Sequence, residues 1–268
     1  MQKNNGIFVI SVSTYLKNSA LLAFLFSFYR FYKDNGRLEA IHIADDGNNH
    51  AKKCIERFER RFFTNKIVYS TGENKGIAKN KNRGIKYFLE KSIADNLILF
   101  DDDLIIKHSG LFDRLLDADK EFNIGHITGC LGGTFGQIDD QGNVNFNNPF
   151  LDQFPPEAST KYLLFCEGAQ GIMNYFTREA LTLVGYYDID WKGRYGYEHS
   201  IHSSRLLKLR GRYPKMYPIL KNSQKFFVGN YNFPNQYDAN PQLNSDQYQK
   251  KLIDVFNGIN LQNKNPGI

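Results

Sequence analysis

Three consecutive carboxylates, Asp101-Asp102-Asp103, follow directly on the apolar run Leu97-Ile98-Leu99-Phe100. That run has the pattern of a buried strand, so the acidic side chains emerge together at its end. Like charges this close raise one another's proton affinity unless a cation intervenes. A hard divalent ion, Mn2+ or Mg2+, resolves the conflict, because it takes oxygen ligands and bridges one or two carboxylates to substrate phosphates. An isolated acidic triplet would read as a solvated helix cap; its place at the end of a buried strand favours the metal. The segment Asn74-Lys75-Gly76-Ile77-Ala78-Lys79-Asn80-Lys81-Asn82-Arg83-Gly84 is the second constellation. Glycine and asparagine open a helix whose first turns carry Lys75, Lys79, Lys81 and Arg83. A helix N-terminus with cations nearby suits a diphosphate. A glycine-capped helix with a basic solvated face has the same sequence, and spacing alone does not separate the two.

Around these groups the chain alternates strand and helix. Residues 6–12 form a β-branched strand pattern, and 19–32 an amphipathic helix with Leu21, Leu22, Leu25 and Phe28 at helical spacing. A strand over 38–44 stops at the turn residues Asp45-Asp46-Gly47. A helix over 51–62, a strand over 67–70, a helix over 77–91 and a strand over 96–100 follow. This order predicts right-handed crossovers onto a mostly parallel sheet flanked by helices. Ligands in such sheets sit at the carboxyl ends of the strands. Three of those ends are polar: Ser13-Thr14-Tyr15, Asp45-Asp46 and Asp101-Asp102-Asp103. The second half reads as a strand over 124–131, a hairpin over 136–146 with turn chemistry at Asp139-Asp140, and an irregular stretch over 147–160. A strand interrupted by Gly168 and Gly171 spans 163–174, and helices cover 177–184, 197–209 and 246–256. Cys166 reads as a buried thiol.

Composition sets the outer bounds. Of 268 residues, 41% are hydrophobic and 15% aromatic, enough to bury a full core, which excludes global disorder. No apolar stretch is long enough to span a bilayer, and no secretory signal opens the sequence. Three cysteines without a CxxC pair fit a reducing cytosol better than a disulfide framework. A cytoplasmic protein is therefore expected, at most peripheral to the inner face of a membrane. The net charge of +6 is modest and by itself names no partner.

In order along the chain, these pieces resemble a nucleotide-sugar glycosyltransferase of the GT-A fold, close to glycosyltransferase family 2. The stretch Val9-Ile10-Ser11-Val12-Ser13-Thr14-Tyr15 resembles the first strand and its nucleotide-contacting end. Ile43-Ala44-Asp45-Asp46-Gly47 resembles the VDDGS stretch whose acidic side chain reads uracil. Residues 74–84 resemble the NxGxxxARNxG helix, and Asp101-Asp102-Asp103 the metal-binding DxD motif. Gly168-Ala169-Gln170-Gly171 lies where the family has a glycine-rich acceptor-side strand. Gly185-Tyr186-Tyr187-Asp188, then Gly196-Tyr197-Glu198-His199 and Arg205, resemble GGFDE…GYEDxDLxxR. The likeness covers roughly residues 6 to 211, and six weak pieces in order are specific. It implies a Rossmann-like α/β domain over 1–211, with a nucleotide-binding half (1–105) and an acceptor-binding half with a smaller β region (106–211). A C-terminal extension over 212–268 would serve as lid, membrane-proximal patch or oligomer contact.

The implied activity is metal-dependent transfer from a UDP-sugar to a hydroxyl of a saccharide or lipid-linked glycan, with inversion, in bacterial surface polysaccharide or glycan assembly. Nucleic acid is not an expected partner. Ser13, Thr14, Tyr15, Asp46, Lys79, Lys81, Asn82, Asp101 and Asp102 would bind the nucleotide-sugar, and Asp101 with Asp103 would hold Mn2+ or Mg2+. Gly171, Trp191 and Tyr197 would meet the acceptor, since aromatic faces pack on the C–H faces of sugars. The chain departs from the family at one place: the Asp usually assigned as base aligns with His199. An imidazole suits general-base work near neutral pH, and Glu198 is the alternative base. His202 shares a helical face with both and is a candidate third metal ligand or a packed histidine; the spacing does not match a zinc HExxH helix. Two rivals stay open: a nucleotidyltransferase making a nucleotide-sugar, and a degenerate phosphate-binding relative. Against the first, Ser13-Thr14-Tyr15-Leu16-Lys17-Asn18 is not a glycine-rich phosphate loop.

Overall fold

The computed structural model describes residues 6–62, 66–130, 156–191, 196–229 and 244–268, together with the backbone of 137–138 and 144–145. Strand β1 (Phe8–Thr14) is buried along its whole length, between β2 (Leu38–Asp45) and β4 (Asn96–Asp101), and runs parallel to both. Strand β3 (Ile67–Thr71) pairs in parallel with β2 and closes that edge. Helices α1 (Asn18–Tyr32), α2 (Lys52–Glu59) and α3 (Ile77–Lys91) make the crossovers. Side chains alternate across the sheet as a period of two demands. Phe8, Ile10 and Val12 join Phe24, Leu25 and Phe28 of α1 on one face, while Val9, Leu97 and Leu99 join Ile85 and Phe88 of α3 on the other. Both faces are covered, and for that reason these strands read as nearly unbroken apolar runs.

The second half widens the sheet. After β5 (Leu104–Ile106) comes α4 (Leu111–Phe122), then β6 (His126–Thr128) and a two-stranded pair of β7 (Gln137–Ile138) with β8 (Val144–Asn145). That pair is the expected hairpin; its turn at Asp139-Asp140 lies outside the described residues. Next are β9 (Ala158–Ser159), β10 (Leu163–Cys166), β11 (Met173–Thr177), α5 (Arg178–Val184) and α6 (Glu198–Leu209). The chain continues through β12 (Tyr217–Leu220), β13 (Phe227–Gly229) and α7 (Ser245–Phe256). The nine-stranded order is β3-β2-β1-β4-β11-β6-β12-β10-β9, with β11 and β10 antiparallel to their neighbours.

Two expectations change. The interrupted strand over 163–174 is two strands, because the glycine-containing segment after Cys166 lets β10 and β11 join different parts of the sheet. Residue 211 does not mark off a separate unit either. Strand β12 lies inside the main sheet between β6 and β10, and β13 pairs with β5. Helix α4 was not among the expected helices; Leu111, Phe112, Leu115 and Ala118 bury its inner stripe, with Phe112 stacked on Phe8 at 4.1 Å. Among the described residues no helix is long and apolar enough to cross a membrane.

Three histidines are sealed inside this framework, each held through hydrogen bonds. His42 accepts or donates at both nitrogens, with Ser11 Oγ at 3.0 Å and Ser70 Oγ at 2.9 Å. His126 sits between the Tyr175 carbonyl at 2.9 Å and Ser203 Oγ at 2.7 Å. His202 meets the Gly185 carbonyl at 2.9 Å and stacks on Tyr187. Burial pushes His42 and His126 down to about 3, and His202 to about 4. A buried neutral imidazole takes up no proton in the folded state where the unfolded chain does, so its stabilisation is full above about pH 6.5 and is lost as pH falls. Comparing urea unfolding of wild type with His126→Gln over a pH series should show the wild-type advantage shrinking steadily from about pH 6.5 toward pH 4. A gap that stays constant over that range would contradict a neutral His126.

Candidate functional site

Register brings the three polar strand ends together. Ser13 of β1 faces Asp101 of β4, and Thr14 faces Asp45 of β2. The Thr14 hydroxyl donates to Asp102 Oδ2 at 2.6 Å, tying the middle carboxylate down behind the other two. Asn80, on the buried side of α3, donates to the carbonyls of Ala44 (2.9 Å) and Thr14 (3.3 Å), which locks the helix onto both strand ends. The paired aspartates after β2 divide the work. Asp45 accepts the N–H groups of Gly47 (2.7 Å) and Ala51 (2.9 Å) and the Tyr69 hydroxyl, so it builds the turn into α2. Asp46 accepts the N–H groups of Lys75 and Gly76, each at 3.2 Å, and Arg83 Nη1 at 3.0 Å. Burial raises its proton affinity against the opposing pull of Arg83.

Gly76 caps the start of α3 with φ +97°, a conformation open to glycine. Five residues on, Lys81 turns inward and is only 1% exposed. Its ammonium donates to the Gly171 carbonyl at 2.9 Å and stands 3.4 Å from Asp101 Oδ1 and 3.8 Å from Glu198 Oε1. Three segments far apart in sequence thus meet at one cation. Glu198 opens α6 and also accepts the Gly196 N–H at 3.0 Å. Tyr197 before it holds φ +66°, a left-handed backbone unusual for a bulky side chain. His199 lies over Gly171, where a Cβ would come within 2.8 Å of its Nδ1. The other ring nitrogen, Nε2, meets the Ala169 carbonyl at 3.0 Å. Nδ1 makes no hydrogen bond and stands 3.5 Å from Glu198 Oε1, in ion-pair range.

Electrostatics single out the carboxylates. Burial, reinforced by Asp103 and Glu198 against the pull of Lys81, lifts Asp101 to about 6. Burial lifts Asp102 to about 7 despite the Thr14 hydrogen bond. Burial would raise Glu198 too, but the His199 ring and the Lys81 ammonium overcome it and hold this carboxylate at about 2. Asp103 is partly exposed and has Lys17 Nζ 3.9 Å away. These residues fit a divalent ion: Asp101 Oδ1 is a buried oxygen with no hydrogen bond, and Asp103 opens to solvent two residues on. Among the described residues no three His, Cys, Asp or Glu side chains are gathered closely enough to hold a metal by themselves. An ion here would therefore draw ligands from a bound phosphate as well, as Mg2+ commonly does.

Several sequence candidates are placed elsewhere. Asn82 is fully buried and structural: its amide donates to the carbonyls of Tyr187 (2.9 Å) and Pro266 (3.1 Å), and its oxygen accepts the Tyr187 N–H. His202, the candidate third ligand or packed histidine, packs between Gly185, Tyr187 and Phe176, on the core side of α6. Tyr197 stacks on Tyr248 of α7 at 4.5 Å, and Trp191 packs against the core with Lys251 5.3 Å from its ring. Both aromatics thus serve the docking of α7. Lys79 lines a groove between α3 and β3 with Lys75 and Arg83. Ser13 is buried at the end of β1, Tyr15 is half-buried just beyond it, and Gly171 offers its carbonyl to Lys81. Sequence reading missed Lys17 and Asn80. The cation directly after a polar strand end was a signal for Lys17; only the helical register pointed to Asn80.

No known protein family matches the sequence, and none of the curated proteins does. Solved structures share the fold. S. aureus TarS 1–349 in complex with UDP superposes with a TM-score of 0.56 at 11% identity, over 83% of this chain and 60% of that one. TarS 1–349 in complex with UDP-GlcNAc gives 0.58 at 10%, over 94% and 73%. The mannosyltransferase PcManGT from Pyrobaculum calidifontis, in complex with GDP-Man and Mn2+, gives 0.56 at 14%, over 93% and 73%. The chain thus spans 60% of the length of the first of these. At these identities the likeness is one of fold.

The raised carboxyls set a pH signature. Asp101 and Asp102 keep their protons in the folded state where the unfolded chain has lost them, so their stabilisation is present below about pH 4 and is lost as pH rises through 6 to 7. A divalent ion relieves the charge that appears above that window and competes with protons below it. The Mn2+-induced rise in Tm should therefore be small near pH 5 and grow to a plateau above about pH 7. In Asp101→Asn the rise should vanish. A pH-independent rise would refute ion binding at these carboxylates.

Proposed function

We propose that this chain is a metal-dependent glycosyltransferase that moves a sugar from a UDP-sugar to a hydroxyl of a saccharide or lipid-linked glycan. The buried Lys81 carries the proposal: from the helix motif over 74–84 it joins Asp101, Glu198 and the Gly171 carbonyl, which belong to three further motifs of the family 2 likeness. The shared fold with structures solved with UDP, UDP-GlcNAc and GDP-Man supports it. Thr14, Tyr15 and Asp46 would line the base pocket at the ends of β1 and β2. Asp101 and Asp103 would hold Mn2+ or Mg2+, and such an ion, when bound, offsets charge developing on the departing nucleoside diphosphate.

His199 would accept the proton of the acceptor hydroxyl as that oxygen attacks the anomeric carbon. Anchoring Nε2–H on the Ala169 carbonyl leaves Nδ1 as the nitrogen that would take up the proton. Glu198, ionised and 3.5 Å from that nitrogen, would stabilise the imidazolium that forms. A single displacement of this kind inverts the anomeric configuration. Assembly of bacterial surface glycans in the cytoplasm, beside the membrane, is the setting proposed.

Asp103→Asn should abolish transfer and metal-dependent UDP binding while shifting stability by no more than about 0.5 kcal/mol, since the side chain is partly exposed. Full activity in that variant, or in excess EDTA, would sink the proposal. The two candidate bases separate in a pH series. If Glu198 acts through His199, Glu198→Gln keeps residual transfer and its acid limb of kcat/KM moves to lower pH. Should the limb disappear with all activity while His199→Gln stays active, Glu198 is the base instead.

A further inference from the structure

Beyond the carboxylate cluster lies a chemically marked hollow, a groove of about 590 Å3 between α3 and the edge strand β3. Its floor is the sheet surface at Val68, Ser70 and His42, and its wall is the Tyr87 ring, stacked on His42 at 5.1 Å. Its rim is cationic: Lys75, Lys79, Arg83, Lys86 and Lys91 all line it. From Lys75 to Lys86 the cations recur every three or four residues, one per helical turn, over roughly 16 Å. Glu73 and Glu90 are the acidic side chains facing the same space. Glu73 is engaged by Lys75 at 3.0 Å and Arg83 by Asp46 at 3.0 Å. Lys79, Lys86 and Lys91 make no ion pair among the described residues. The backbone also makes room for charge at the groove's end: a Cβ at Gly72 would collide with the Arg83 guanidinium lying against it.

We propose that this groove is a second anion site, taking a ligand with two or more phosphates in line, apart from the Lys81–Asp101–Glu198 cluster. Three unpaired ammonium groups along one hollow repel one another, and a linear oligophosphate meets them in succession where a single phosphate meets one or two. Arg83 links the groove to Asp46, because one guanidinium is shared between them. The proposal goes beyond the sugar-transfer function and does not depend on it. The oligophosphate could be free or carried on a lipid headgroup, and the test separates these sources.

Inorganic tripolyphosphate is titrated into the full chain without divalent metal, followed by calorimetry at two salt concentrations. The wild type should bind, more weakly at higher salt, and Lys86→Gln/Lys91→Gln should bind about tenfold more weakly with an unchanged Tm. Asp101→Asn should bind like wild type. Co-sedimentation with phosphatidylcholine vesicles carrying farnesyl diphosphate, or farnesyl monophosphate as the control, is the second arm. Capture on the diphosphate vesicles that needs Lys86 and Lys91 and is displaced by tripolyphosphate supports the site with a lipid source; binding of free tripolyphosphate alone supports it with a soluble one. No binding in either arm, equal binding by the double variant, or loss of binding in Asp101→Asn would overturn the proposal.

Discussion

A single buried ammonium organises the chemistry of this molecule. Lys81 has nearly no contact with solvent, and an isolated charge there would be strongly unfavourable. It persists because two carboxylates and a carbonyl surround it, and those partners come from β4, the start of α6 and the segment before β11. Its carboxylate partners depend on Lys81 in turn, since without it Asp101 and Glu198 would repel one another across the site. Removing one member of such a set is far more disruptive than its net contribution implies. The surrounding architecture can be read as what is needed to hold this quartet: Asn80 fixing α3 to the strand ends, Thr14 holding Asp102 away, and Gly171 allowing His199 to close over the top.

Much of the first half was legible in the sequence because its signals are local. Strands buried on both faces are apolar throughout, helices between them carry one apolar stripe, and polar residues gather where the strands stop. The convergence of Thr14, Asp46 and Asp101 follows from parallel pairing alone, with no knowledge of side-chain contacts. Legibility ends where partners are distant. Nothing in the neighbourhood of Asn82 distinguishes a ligand-facing amide from one that ties Tyr187 to Pro266, and the motif spacing pointed to the first. Tyr197 and Trp191 have the composition of a sugar platform, yet α7 takes up their faces. Strand β12 escaped because four residues carrying a proline give a weak pattern, and its place between β6 and β10 depends on pairing across the whole chain.

Charge distribution shows the same division between local pattern and distant partner. The basic residues of α3 look like one group in sequence, and the helix splits them. Lys81 points into the core to neutralise acids, Arg83 bridges to Asp46, and Lys79 and Lys86 look onto the β3 groove. A modest net charge of +6 thereby hides two opposite local fields, an acidic pocket at the strand ends and a cationic hollow beside it.

The tie between Asn82 and Pro266 joins residues 184 positions apart, and Asn263 adds a bridge to Gly185. During synthesis, α3 leaves the ribosome long before those late residues exist. Its buried amide stays hydrated until residues 263–266 come back across it, and only then is the helix carrying Lys81 fully seated. Loops closed over such a span slow the final step of folding.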